Sequence, residues 1–367
     1  MSAKIPVGIL GATGMVGQNY ISLLENHPWF EVRYVAASER SAGKKYGDAM
    51  AGRWHLRSVC PQSVKNIMVE DANDVVRATE AAKNGDLAFV FSALEMGKDE
   101  ILKLEDKYAS SGIPVVSNAS ANRWTSDVPM LIAEVNPDHT GIIPIQQKKR
   151  GWDKGFIAVK PNCSIQSYMT PVWALMQSGY PVKRMIVTTM QAVSGAGYPG
   201  VPSLDVIDNV VPYIGGEEEK SELEPLKIFG KICGDKIINA DTPLISAHCN
   251  RVPVINGHTV TVSLEFADKK PSIEEVKAIW NSFRALPQEL KLPMAPVQPI
   301  IVRDEANRPQ PGMDRDADKG MAVSVGRIRP CNVFDLRFVG LSHNTVRGAA
   351  GGGILNAELL KSKGFVG

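Results

Sequence analysis

Gly11-Ala12-Thr13-Gly14-Met15-Val16-Gly17 constrains this chain more than any other stretch. It follows Ile5-Pro6-Val7-Gly8-Ile9-Leu10, a run apolar enough for a buried strand, and opens a helical stretch from Gln18 to Glu25. A strand, a glycine turn and a helix N-terminus form a phosphate cradle, because backbone N–H groups face the anion and missing side chains let it approach. The spacing is GxxGxxG, so the GxGxxG dinucleotide fingerprint is approximated, and a tight structural turn is the competing reading. Gly11, Thr13, Gly14, Met15, Val16 and Gly17 are the candidate cofactor contacts here.

The next strand-like run, Val32 to Ala37, ends in Ser38-Glu39-Arg40-Ser41-Ala42-Gly43-Lys44-Lys45. A chain that binds NAD usually places Asp or Glu at that strand end, on the ribose 2′-hydroxyl. Ser38, Arg40 and Ser41 suit a 2′-phosphate instead, so NADP is the expected cofactor, with Glu39 as the opposing feature. The pattern then repeats: Leu87–Ala93 reads as a buried strand, Lys98–Ser111 as a helix and Gly112–Asn118 as a strand. Alternation of this kind predicts a doubly wound α/β, Rossmann-type domain. Ser92 and the 117–123 loop fall at strand carboxyl ends, where such sheets bind ligands, and Arg123 is a candidate phosphate holder.

With 367 residues the chain has room for two domains. A net charge of +2 offers no electrostatic case for nucleic acid or membrane. The five cysteines are scattered with no CxxC pair, so neither a disulfide framework nor a metal site is expected, and a reducing, cytoplasmic setting is. Met-Ser-Ala-Lys runs straight into the first strand, so no signal peptide is expected, and no apolar run approaches a membrane span.

In Pro161-Asn162-Cys163-Ser164, an apolar strand-like run gives way to residues spaced as a helix from about Ser164 to Gly179, with Asn162 able to cap it. Cys163 would then sit where free N–H groups favour a thiolate and stabilise an oxyanion on a carbonyl under attack. After Lys183 the character changes. Met185–Val193, Val252–Ile255, Thr259–Phe266, Met321–Ile328 and Val333–Leu341 read as strands, predicting an α+β domain with a mainly antiparallel sheet. Helices are expected over Val201–Val211 and Ser272–Ala285, the second with a Ser272/Glu275 capping box. Residues 287–319 read as a long loop or subunit-contact arm. The glycine-rich stretch from Asn344 leads into a final helix, Ile354–Lys361, expected to rejoin the first domain. The expected division is 1–162 with 343–367 for the cofactor domain, and 163–342 for the catalytic and dimerisation domain.

Three further motifs accompany Cys163: Gln191-Ala192-Val193-Ser194-Gly195-Ala196-Gly197, Gly215-Gly216-Glu217-Glu218-Glu219-Lys220, and Arg251 seven residues before His258. Together with GATGMVG and Pro-Asn-Cys-Ser, they make the chain resemble the aspartate-β-semialdehyde dehydrogenases, in their fungal and archaeal branch, over essentially its whole length. The resemblance implies NADPH-dependent reduction of L-aspartyl 4-phosphate to L-aspartate 4-semialdehyde and phosphate. This is a step towards threonine, methionine, isoleucine and, in many organisms, lysine. It implies Cys163 as nucleophile, His258 as acid or base titrating near neutrality, and Gln191 orienting the acyl intermediate. Arg251 would grip the α-carboxylate, Glu217 (or its neighbour Glu218) would take the amino group, and Lys220, Arg123 and Asn162 would hold phosphate. Ser194, Gly195 and Asn344 would lie near the cofactor. A homodimer or homotetramer is implied, the choice left open.

Three other readings compete. N-acetyl-γ-glutamyl-phosphate reductase runs the same chemistry, but a free amino group needs an anionic partner such as Glu217 and an acetamide does not. Malonyl-CoA reductase would need a broad coenzyme site. A silent NADP-binding sensor has no use for Cys163, Gln191, Arg251 and His258 together.

Overall fold

In a computed structural model describing residues 3–367, strands β1 (Ile5–Leu10), β2 (Phe30–Ala37), β3 (Val69–Asp71), β4 (Phe89–Ser92), β5 (Val115–Ser117) and β6 (Ile157–Val159) form one sheet. Its order is β3-β2-β1-β4-β5-β6, and every pair is parallel. This is the doubly wound nucleotide-binding order, with the ligand crevice beyond the carboxyl ends of β1 and β4, where the order reverses. β4, Phe-Val-Phe-Ser, is buried at every residue, as a central parallel strand must be with both faces covered. Sequence reasoning does not find β3, whose Val-Glu-Asp carries no apolar run, nor the helix Val75–Lys83, which Asp74 caps by accepting from Arg77 N–H.

The second sheet holds β7 (Val182–Gln191), β10 (Leu244–Arg251), β11 (His258–Phe266), β12 (Ile300–Arg303), β13 (Val323–Pro330) and β14 (Leu336–Ser342). A separate hairpin joins β8 (Lys231–Cys233) to β9 (Lys236–Ile238). The order is β10-β7-β11-β14-β13-β12; the inner pairs are antiparallel and both outer pairs parallel, so the sheet is mixed. β10 escapes a sequence reading because Ser246, His248 and Asn250 alternate with Ala247, Cys249 and Arg251, a weak strand signal. The strand expected at Val252–Ile255 is instead a bend just past β10, with Val254 N–H on the Val252 carbonyl. The helix expected over Val201–Val211 shrinks to Ser203–Val206, and Leu204, Ile207 and Val210 stay exposed. Glu217–Ile228, whose charges suggest a loop, is a helix. The helix Ile273–Ser282 has the expected capping box.

The last helix, Gly351–Ser362, packs back on the first sheet: Ile354, Ala357 and Leu360 share a core with Val7, Ile9, Phe89 and Phe91. A Cβ at Gly353 would run into the Tyr20 hydroxyl, and His27 Nε2 meets Glu358 Oε1 at 2.7 Å in the interior. The helix expected from Ser164 to Gly179 is broken at Tyr168 (φ −137°) into a short 3-10 turn, Ser164–Ser167, and an α-helix, Met169–Gln177. Cys163 therefore opens a turn of four residues. Among the described residues no helix is long and apolar enough to cross a membrane.

Candidate active site

Two neighbouring cavities, about 450 Å³ and 330 Å³, run along the carboxyl edge of the first sheet and have Glu95 in common. The first is lined by Gly11, Thr13, Gly14, Ser38 and Arg40, among others. Gly11 has φ +76°, and a Cβ there would strike the Ala93 carbonyl. The helix Met15–Leu24 begins with Gln18 N–H on the Gly14 carbonyl, so the earlier N–H groups of Met15 and Val16 lack intrahelical partners beside the second cavity. An open glycine turn, free N–H groups and a Ser/Arg wall fit a dinucleotide with a 2′-phosphate. Three of the expected cofactor contacts do not reach a cavity wall. Gly17 is buried because a side chain would hit Gly11 and Ala12, so it serves close packing. Ser41 is 1% exposed and accepts from Arg53 Nη1 at 3.4 Å. Ser92 is enclosed in β4.

Cys163 lies on the wall of the second cavity, its sulfur 3.3 Å from His258 Nε2. β11 begins at His258, and Ala192 N–H, just past β7, donates to His258 Nδ1 at 3.0 Å. That bond fixes the tautomer: with Nδ1 accepting, the neutral ring carries its proton on Nε2 and directs it at sulfur. The expectation that His258 titrates near neutrality is corrected. Burial first, then Arg251, His343 and Lys160, pull its pKa down to about 3. The expectation of a lowered thiol pKa is also corrected. Cys163 touches the cavity, yet protein surrounds most of it, and this burial with the nearby Glu217 lifts the thiol to about 11. A four-residue turn has too few aligned peptides to offset that. Gly195 lies against Arg251 and His258; a Cβ there would come within 2.9 Å of Arg251 Nη1 and 3.2 Å of His258 Nε2.

Arg251 ends β10 beside Gln191 at the end of β7. It is 6% exposed and donates from Nη1 to the Ala192 carbonyl at 2.7 Å; no carboxylate pairs with it among the described residues. Glu217 opens its helix and faces the cavity. It accepts from Lys220 at 2.8 Å, from Asn162 Nδ2 at 2.9 Å and from Gln191 Nε2 at 3.1 Å. Burial opposes its charge, but those three donors outweigh it and hold the carboxyl below its usual range. Glu218, the rival, instead accepts from Cys249 N–H in β10. Asn162 is committed at both ends, since Oδ1 also accepts from Ser164 N–H at 2.7 Å. In this arrangement Asn162 and Gln191 position Glu217. Asn344 donates to Ser194 Oγ at 2.8 Å and lines the same cavity with Ser194 and Gly195.

Arg123 is held by Glu224, with Nη1 to Oε1 at 2.8 Å, and Glu224 also accepts from Asn162 N–H at 2.6 Å. Sequence reasoning misses Glu224. The signal is there: Glu217, Ser221, Glu224 and Ile228, spaced three and four apart, are all buried on one helix face. Removing one partner of an enclosed pair strands a charge, so Glu224→Ala is expected to cost about 3–5 kcal/mol. Urea unfolding checks this; a loss below ~1 kcal/mol, typical of surface pairs, would contradict it.

A Rossmann-type sheet and a mixed sheet, with a cysteine–histidine pair at their junction, define the class of semialdehyde dehydrogenases. Family models agree: "Semialdehyde dehydrogenase, NAD binding domain" matches residues 6–142, and "Semialdehyde dehydrogenase, dimerisation domain" matches residues 173–347. The chain belongs to the aspartate-semialdehyde dehydrogenase family. It is 49% identical to the aspartate-semialdehyde dehydrogenase of Methanothermobacter thermautotrophicus, over 97% of this chain and 99% of that one. It is 41% identical to that of Saccharomyces cerevisiae over the whole of both chains. The crystal structure of the Candida albicans enzyme with NADP superposes with a TM-score of 0.88 at 40% identity, covering 99% of this chain and 100% of that one.

Proposed function

We propose that this chain reduces L-aspartyl 4-phosphate to L-aspartate 4-semialdehyde with NADPH, releasing phosphate, through a thioester on Cys163. The observation that carries the reading is the 3.3 Å approach of Cys163 Sγ to a tautomer-fixed His258, on a cavity adjoining the glycine turn. A thioester tethers the acyl carbon to the enzyme and still accepts hydride, so covalent catalysis splits a hard step into two. The Cys163 thiolate attacks the acyl carbon, the C–O bond to phosphate breaks, and phosphate leaves. NADPH, when bound, supplies the hydride that reduces the acyl group. His258 Nε2–H steadies the thiolate before attack and the alkoxide oxygen of the thiohemiacetal after reduction. That alkoxide collapses, the C–S bond breaks, the aldehyde departs and the thiolate is restored.

Substrate orientation follows from charge. Arg251, without a carboxylate of its own, takes the α-carboxylate with a two-pronged guanidinium. Glu217 exchanges Lys220 for the substrate ammonium, and the released Lys220 turns to phosphate beside Arg123. Gln191 and Asn162 keep Glu217 in place. Gly11, Thr13, Gly14, Met15, Val16, Ser38 and Arg40 are the proposed cofactor contacts, with Ser194, Gly195 and Asn344 nearby. The division into 1–162 with 343–367 and 163–342 puts the cofactor on one domain and the nucleophile's partners on the other. The dimerisation domain supports a self-associated homodimer or homotetramer, and five free cysteines suit the cytoplasm. Neither rival reductase nor a silent sensor draws support from the named relatives.

The test is absorbance at 340 nm with L-aspartate semialdehyde, NADP+ and phosphate. Phosphate-dependent NADPH formation, faster than with NAD+, is expected. Turnover only with N-acetyl-glutamate semialdehyde or malonyl-CoA chemistry would refute the substrate. Arg251→Lys keeps the charge but loses the fork, so KM for the aldehyde should rise by ~10-fold or more. An unchanged KM would remove Arg251 from the carboxylate.

A further inference from the structure

Lys160 stands three residues before Cys163, is 2% exposed, and lines the same cavity. Its ammonium has one hydrogen bond, to the Pro161 carbonyl at 2.7 Å, and no carboxylate partner among the described residues. A buried ammonium without a counter-ion is costly unless something nearby uses the charge. The cations around the sulfur can be sorted by partner. Arg123 is neutralised by Glu224, and Lys220 by Glu217 in the ligand-free chain, or by phosphate once substrate displaces it on the function proposed above. Arg251 is unpaired but, on the function proposed above, meets the substrate carboxylate. Lys160 is the cation left over when substrate is in place.

We propose that Lys160 is the positioning residue that holds Cys163 as a thiolate, acting on the sulfur as a buried positive charge. This rests on Cys163 being the nucleophile. Thiolate with ammonium and thiol with amine carry the same net charge, so the pair can interconvert without drawing a charge into the site. Burial pushes both groups towards the uncharged thiol and amine, and each group's charge opposes that for the other. Burial, then Arg123, bring Lys160 down to about 7, with Cys163 and Glu224 acting upward and Arg347 downward. Arg347 is itself paired with Glu134 at 3.0 Å. At Cys163, burial and Glu217 act upward, and Lys160 leads Arg123 and Arg251 in acting downward. His258 adds a hydrogen bond but, as a neutral ring, no charge.

The test is the pH dependence of Cys163 alkylation by iodoacetamide in the ligand-free enzyme, followed on the Cys163 peptide by mass spectrometry. Lys160→Met removes a buried charge while keeping the apolar stem, so the fold should persist, and a thermal melt verifies it. Its alkylation midpoint should rise by about one pH unit or more, with labelling near neutral pH slowed ~10-fold. Lys160→Arg, which keeps the charge, should hold the midpoint at or below the wild-type value. An unchanged midpoint in Lys160→Met, or an equal rise in both variants, would overturn the proposal. If Lys160→Met does not fold, Lys160→Gln replaces it under the same criteria. Failure of the nucleophile reading would appear elsewhere, as full turnover by Cys163→Ser.

Discussion

Cys163→Ser is expected to lower phosphate-dependent aldehyde oxidation by ~10³-fold or more while leaving NADP binding intact. The size of the effect follows from chemistry more than from geometry. A serine hydroxyl fits the Cys163 space, and Nε2 of His258 would still point at it. That ring, however, carries its proton on Nε2 and has Nδ1 occupied by Ala192 N–H, so it cannot serve as the base an alcohol would need. A thiol needs less help, because it is intrinsically far more acidic than an alcohol and a cation with a donated hydrogen bond favours its thiolate. Cofactor affinity should not move, since Gly11, Thr13, Ser38 and Arg40 line a different cavity, and exchanging sulfur for oxygen leaves the proposed contacts in the sulfur's own cavity in place. The comparison is steady-state turnover beside NADP titration by fluorescence. Near wild-type turnover by the serine variant would end the nucleophile assignment.

His258→Ala should lower kcat by about 10²–10⁴ with a much smaller change in KM. Arg251 and Glu217, proposed to take the substrate's charged ends, are separate side chains, so binding should survive. The loss falls on the step in which negative charge gathers on sulfur or on the acyl oxygen. Its pH behaviour is distinctive. The ring's pKa of about 3 lies far below the ordinary 6.5, so His258 stays neutral throughout the working range. The wild-type kcat/KM profile should therefore show no limb near 6.5 from this histidine, and the rise with pH belongs to the sulfur and its neighbours. His258→Ala should push that rise upward, because the thiolate loses a donor. A wild-type limb near 6.5 that disappears in the variant would show instead that His258 exchanges protons near neutrality. Stability carries the same signature. An unfolded histidine binds a proton below 6.5 and the buried ring does not until about 3, so stability contributed by His258 is present above 6.5 and declines as pH falls towards 3.

Much of this arrangement is legible in the amino-acid sequence. The glycine turn after β1 and the repeat of strand and helix foretell a doubly wound sheet, because local pattern and fold agree there. Cys163, Arg251 and His258 stand out by motif, and they converge although 95 residues separate the first from the last. What the sequence hides is whatever depends on which face of an element is buried. Glu-Glu-Glu-Lys reads as a solvated run, yet the helix turns Glu217 and Glu224 inward and leaves Glu219 exposed. Lys160 looks like the end of a strand, and only burial marks its charge as unusual. The protonation states depart from expectation for the same reason. Nearness to a turn's N-terminus and an ordinary imidazole pKa are the signals a sequence offers, and enclosure overrides both. Ser41 and Ser92 have the right chemistry and strand position, but their side chains are enclosed by protein.

The most direct test of the account is the mass of the enzyme itself. Incubation with L-aspartate semialdehyde and NADP+, without phosphate, should leave the acyl group stranded on the protein, since nothing is present to take it. Intact-mass spectrometry should find a chain one aspartyl group heavier, the adduct should map to Cys163, and phosphate should remove it as aspartyl phosphate is released. An enzyme that forms NADPH with no adduct, or whose adduct sits on another residue, would contradict the thioester at the centre of the mechanism.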